Sequence, residues 1–166
     1  HNFHFKVYGS IFLGQFKPAI EAAQELQDLL SPEVIRPSAD WLESYYPMKY
    51  HVFVRFGMWD QIKVINPPSD NKLFCYTTAI IHYAKSIAYA ATGEIREAEV
   101  QRDKFVLARS MVPETRFLFN NSCLDILGVA GEMLEGELAY RKQEFEEAFK
   151  HLRNAVRLDD DLPYEE

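Results

Sequence analysis

Residues 143–155 read QEFEEAFKHLRNA, and the spacing inside this stretch decides the fold. Phe145, Ala148, Phe149, Leu152, Ala155 and Val156 recur at intervals of three and four. That is the period of one apolar face on an α-helix. A second helical run, 121–142, ends just before it. Gln143 and Glu144 therefore read as a tight turn between two antiparallel helices. Outward from here the same phrase recurs three times: GQFKPAIEAAQEL at 14–26, GMWDQI at 57–62 and GEIREAEVQRDKF at 93–105. Each has a turn residue, then an apolar anchor, then Ala or Ile three later. In three of the four copies the turn residue is Gly, which adopts a positive φ without a steric penalty. Ala after the anchor allows two helices to approach closely. The turns stand 43, 36 and 50 residues apart, a spacing of helix hairpins with insertions.

The rest of the chain is also helical in pattern. Ile80, Ala84, Ile87 and Ala91 follow one helix face. Strand-like alternation is almost absent, and His51 to Phe56 is the ambiguous run. Helices are expected near 2–13, 16–30, 38–46, 48–57, 59–65, 72–92, 94–111, 121–142 and 144–158. Pro47 should break 38–57, and NPPSDN at 66–71 reads as a loop. Ser122 with Asp125 three later resembles a capping-box start.

These residues resemble the tetratricopeptide-repeat (TPR) family. The last copy carries the resemblance best. Gly136 takes the small position of the first helix, Phe145 the turn aromatic, and Ala148 and Ala155 the alanines of the second helix. Asp159 to Pro163 then closes it. The third copy offers Ser86-Ile-Ala-Tyr89, Gly93, Ala98 and Pro113, and the first offers Gly14, Phe16, Ala19, Ala23 and Pro32. The second keeps Gly57, Trp59 and Ile62 before Pro67-Pro68 cuts it short. Lys6, Lys49, Lys85 and Glu135 stand where the family usually has Leu, and Arg102 where it has an aromatic. GSIFLGQF, VRFGMWDQI and HYAKSIAYAATG are also similar in phrasing to bacterial TPR proteins. The expected fold is all-α: an irregular TPR-like solenoid of about four antiparallel helix hairpins, 1–33, 38–66, 72–113 and 121–163, in one domain. A hairpin of this kind buries its apolar face only by stacking on its neighbours.

Bulk properties narrow the function. A net charge of −7 argues against nucleic acid, whose binding draws on clustered Lys and Arg. Acidic residues crowd the last 35 positions, a solvated face or a docking surface for a basic partner. No apolar run approaches the roughly 20 residues needed to span a bilayer, so no membrane insertion is expected and the cytoplasm is the expected location. Cys75 and Cys123 have no partner motif and read as buried small hydrophobes. The chain begins with His rather than Met, and its last residues provide no obvious polar capping helix. The expectation is a piece of a longer protein.

No catalytic signature is present: no GxSxG, HExxH, Gly-rich phosphate loop or Walker lysine. The expectation is a non-catalytic chain without a cofactor. The resemblance assigns a concave groove lined by the first helix of each repeat. Carried over from the turn residues, that groove holds His1, His4, Tyr8 and Phe12 from the first copy, and His51 and Arg55 from the second. Tyr83 and Ile87 come from the third, and Glu137, Tyr140 and Arg141 from the fourth. Tyr, Arg and His on a rigid scaffold suit recognition of a protein or peptide partner. The competing expectation is a metal-binding or metal-dependent hydrolytic protein with His1, His4 and His51 as ligands. His82 falls on the packing side and His151 on the exposed part of a second helix. Asn2, Lys6, Lys49, Arg55 and Lys85 do not reproduce the carboxylate clamp of some TPR grooves. Self-association through the solenoid ends is a further possibility.

Overall fold

A computed structural model describes residues 2–163. The protein is all-α, with ten α-helices among the described residues and one two-residue-long strand pair. The longer helices form three hairpins: α1 (Asn2–Phe12) with α2 (Phe16–Leu29), α7 (Cys75–Ala91) with α8 (Ile95–Ser110), and α9 (Cys123–Arg141) with α10 (Phe145–Asp160). A shorter hairpin, α5 (Met48–Arg55) with α6 (Trp59–Lys63), lies between the first two in sequence. His51 to Phe56, ambiguous by pattern, is thus helical through Arg55.

One turn design joins all four hairpins. Gly14, Gly57, Gly93 and Gln143 each have a positive φ, between 66° and 84°. In every turn the amide after this residue donates to a carbonyl five residues back: Gln15 to Ser10, Met58 to Phe53, Glu94 to Tyr89 and Glu144 to Ala139. The turn residue itself donates three residues back in each case. These two bonds are the Schellman closure, which satisfies carbonyls left open at a helix end. Gln143 does this with a side chain, in a region that suits glycine.

The alanines after the turns are buried as their spacing implies: Ala19, Ala98 and Ala148 are 0% exposed. Gly136 explains the close seating of α9 on α10. A Cβ there would stand 2.7 Å from Leu152 and 3.3 Å from the Ala148 carbonyl.

Helix α7 is the centre of the fold. It packs on α5, α6, α8 and α9, and buries residues on almost every side, from Tyr76 and Ile80 to Ser86 and Ala90. One apolar core surrounds it; another lies between α1, α2 and α5, around Val7, Ala22, Leu26 and Val52. Leu118 packs against both cores.

The segment 36–46 departs from the continuous helix expected over 38–46. It winds as a 3₁₀ turn (Arg36–Ser38), a single α-turn α4 (Ala39–Leu42) and another 3₁₀ turn (Glu43–Tyr45). Prolines at 37 and 47 deny it the amides a longer helix needs. Its side chains are spent on distant partners instead, as described below. Pro47 ends the segment and precedes α5. Residues 66–70 are irregular, as NPPSDN implies. Ser122 caps α9 by accepting from the amides of Leu124 and Asp125. The unforeseen element is the hairpin of β1 (Phe117–Leu118) and β2 (Asn121–Ser122), antiparallel, joined by Phe119 and Asn120.

Several charged residues of the helices bridge elements. Arg102 pairs with Glu135 at 2.9 Å, joining α8 to α9. Lys85 donates to the Ile65 carbonyl at 2.7 Å, and Lys49 to the Gln24 side chain at 2.6 Å.

Candidate functional site

Two buried polar clusters form at one edge of the molecule, where α1, α7 and α9 begin. The first is built on Glu43, which is 0% exposed. Helix α7 has no side-chain cap of its own. Its first amides meet Glu43 instead: Thr77 donates to Oε1 at 2.7 Å and Tyr76 to Oε2 at 3.3 Å. A carboxylate is favoured there because open amides and the helix dipole point at it. Arg116 completes the set. Its guanidinium donates to Glu43 at 2.8 Å, to Asp40 at 3.2 Å and to the Leu73 carbonyl at 3.1 Å. Burial pushes the Glu43 carboxyl up, opposed by the Thr77 amide, Arg116 and the Tyr76 amide. The Arg116 carbonyl accepts the Cys123 amide at the start of α9, and Ser44 Oγ donates to the Phe117 carbonyl at 2.7 Å. The ring of Trp41 stacks on Phe117, centroids 5.8 Å apart. One arginine and one carboxylate thus tie the 36–46 segment, α7, the β-hairpin and α9 together.

The second cluster is built on His4. Its side chain lies on α1 and is 8% exposed. Four rings surround it: Tyr8 at 5.1 Å, Tyr45 at 5.4 Å, Phe119 at 5.5 Å and Phe5 at 6.1 Å between centroids. Both imidazole nitrogens are buried and neither has a hydrogen-bond partner. His51 on α5 lies within electrostatic reach. Burial lowers the pKa of both histidines, that of His51 to about 4, with His4 as a further cause for His51. Burial therefore favours the uncharged form of both rings.

Phe119 reaches His4 from the tip of the β-hairpin. It is the first of two turn residues and has φ +52°. Two-residue hairpin turns favour glycine at such a position. A phenylalanine held there stores strain of order 1–3 kcal/mol.

The expected groove residues divide into those this cluster gathers and those it does not. His4 and Tyr8 meet in it, with His51 beside them. Phe12 continues the stripe: its ring is 5.9 Å from Tyr8 and 79% exposed. His1 lies outside the described residues. Arg55 is exposed at the last turn of α5. Tyr83 packs near Phe105, and burial with the nearby Glu137 pushes its phenol up to about 12. Ile87 sits in the central core instead of a groove, because α7 is buried nearly all round. Tyr140 turns toward Phe145 and Phe149 of its own hairpin, at 5.4 and 6.4 Å. Arg141 reaches back to Glu137 at 3.8 Å.

No family model matches the chain, and neither does any curated protein or solved structure.

His82 lies on the packing side as expected, whereas His151, expected on an exposed face, is half-buried against α9. His82 meets Gln101 of α8 at 2.8 Å, and His151 meets Glu132 of α9 at 2.7 Å. Cys75 and Cys123 are both buried free thiols. Among the described residues no group of three or more His, Cys, Asp or Glu is placed to hold a metal ion. None of the described helices is long and apolar enough to cross a membrane. Tyr45, Phe119, Glu43 and Arg116 carried no signal in the sequence. They act through partners 33 to 115 residues away, which no local period marks.

Proposed function

We propose that this chain is a non-catalytic peptide- or protein-binding module, an irregular TPR-like stack whose recognition surface lies on α1 and its neighbours. The observation that carries the reading is the aromatic stripe of α1. Phe5, Tyr8 and Phe12 follow helical spacing and are 59%, 49% and 79% exposed, flanking the polar His4. Aromatic rings with a hydrogen-bonding group at their centre supply contact area and direction together. The same backbone closure at all four turns supports the stacked-hairpin reading. The metal-dependent alternative rests on His4 and His51 alone among the described residues, and the peptide reading uses more of what surrounds them.

The test is panning of a random dodecapeptide display library on the whole chain, followed by calorimetry with synthesised winners. The reading predicts enriched peptides whose affinity drops at least tenfold in Tyr8→Ala and Phe12→Ala variants of unchanged helicity. Winners that bind these variants as well as the parent would contradict it, as would failure to enrich any sequence.

A further inference from the structure

Helix α10 carries a second apolar stripe beside the side that packs on α9. Ala148 and Ala155 are buried on the packed side. Phe145, Phe149 and Val156 lie on the adjoining face and are 47%, 46% and 60% exposed. With the half-buried Leu152 they are spaced four, three and four residues apart. That is the repeat of a seam between two supercoiled helices. Tyr140, near the end of α9, widens the stripe: its ring is 5.4 Å from Phe145 and 6.4 Å from Phe149. A contiguous exposed apolar face marks a place where proteins meet a partner.

The charges along the free edge of the stripe select the partner. Glu146 and Arg153 flank it there, and both are exposed. Around them, Lys150 pairs with Glu147 and Arg157 with Asp161 inside α10. Glu146 and Arg153 make no ion pair with any described residue. A second α10 laid antiparallel across the first sets Phe145 opposite the partner's Val156, and Phe149 opposite the partner's Leu152. The stripe then matches itself about a twofold axis between residues 150 and 151. In that register Glu146 lies two residues, about 3 Å along the helix axis, from the level of the partner's Arg153. Symmetry forms this pair twice. A parallel, in-register pairing would instead set Glu146 level with Glu146 and Arg153 level with Arg153. The charge pattern therefore fits a second copy of this chain, antiparallel, in the twofold arrangement common among closed oligomers.

We propose that two copies of this chain pair through the α10 stripe, antiparallel about a twofold axis, with a Glu146–Arg153 pair on each side of that axis. The face shares no residue with the α1 surface, so the pairing stands or falls apart from the peptide-binding reading. Sedimentation equilibrium of the whole chain tests it, and a monomer–dimer equilibrium is the expected result. Phe149→Asp should weaken dimerisation at least tenfold with helicity retained. Glu146→Arg and Arg153→Glu should each weaken it severalfold, because each sets like charges against one another. The effect is modest because exposed ion pairs are worth little. Mixing these two charge variants restores opposite charges at both pairs. Energy transfer between differently labelled variants should therefore show the mixed dimer forming in preference to either variant with itself. Both positions are exposed, so these two variants keep the fold even where Phe149→Asp does not. A chain that stays monomeric at the highest concentration reached would overturn the proposal and leave the stripe to another protein or another segment. A dimer that a folded Phe149→Asp variant leaves intact would overturn it too, as would a mixture of charge variants with no preference for the mixed dimer.

Discussion

Glu43 with Arg116 and His4 with its ring of aromatics sit at the same edge of the molecule and treat buried polarity in opposite ways. The Glu43 carboxylate meets two amides and a guanidinium. His4 meets only rings. Burying a polar group costs free energy unless its hydrogen bonds are replaced. The first cluster is therefore a fastening: it holds four segments, and its carboxylate and guanidinium are satisfied within the chain. The second is destabilising for the chain alone. A position of that kind leaves a donor and an acceptor open to a contact the chain does not make with itself.

The comparison breaks most severely at Arg116. Arg116→Met leaves Glu43 buried without its counter-charge, and removing one partner of a buried pair costs about 3–5 kcal/mol. Urea unfolding should show a loss of that size. A loss under about 1 kcal/mol would mean that the α7 amides alone suffice for the carboxylate.

A smaller effect sharpens the contrast by standing outside both clusters. Gln143 occupies the left-handed turn position that glycine fills in the other three hairpins. Gln143→Gly should raise stability by about 1 kcal/mol, since glycine has no Cβ penalty there. Peptide affinity should stay unchanged. A stability loss would show that the Gln143 side chain has a role the turn geometry does not require.

The smallest effect at neutral pH is titration of the His4 cluster. His4 and His51 have folded pKa values below the ordinary histidine value, about 4 for His51. The unfolded chain then binds protons first as pH falls. Their contribution is full above about pH 6.5 and is lost as pH drops toward 4. Unfolding midpoints measured from pH 7.5 to 4.5 should decline, and the decline should shrink in a His51→Phe variant. An equal decline in that variant would assign the acid sensitivity to the carboxylates.

The helices were legible because each announces itself locally. Apolar residues at three and four residue intervals mark α7 and α10, and a glycine or its substitute marks each hairpin turn. His4 and His51, expected in one groove, lie within electrostatic reach of each other. Other features were hidden for physical reasons. A lone Glu43 in a helical run looks like any solvated carboxylate until α7, over thirty residues on, is folded against it. The β-hairpin breaks its own rule by placing Phe where glycine is favoured, so no turn signal marks it. Ile87 was misassigned to a surface because α7 is enclosed by four helices, and enclosure is a property of the stack rather than of the helix.

The central claim is that His4 is kept polar for a partner and against the stability of the chain. Urea unfolding of the His4→Leu variant at pH 7 tests it most directly. Replacing the orphaned imidazole by an apolar side chain should raise the free energy of unfolding by about 1 kcal/mol, since the unmet nitrogens are removed. A loss of 1 kcal/mol or more would show that His4 is satisfied within the fold, and would contradict the account.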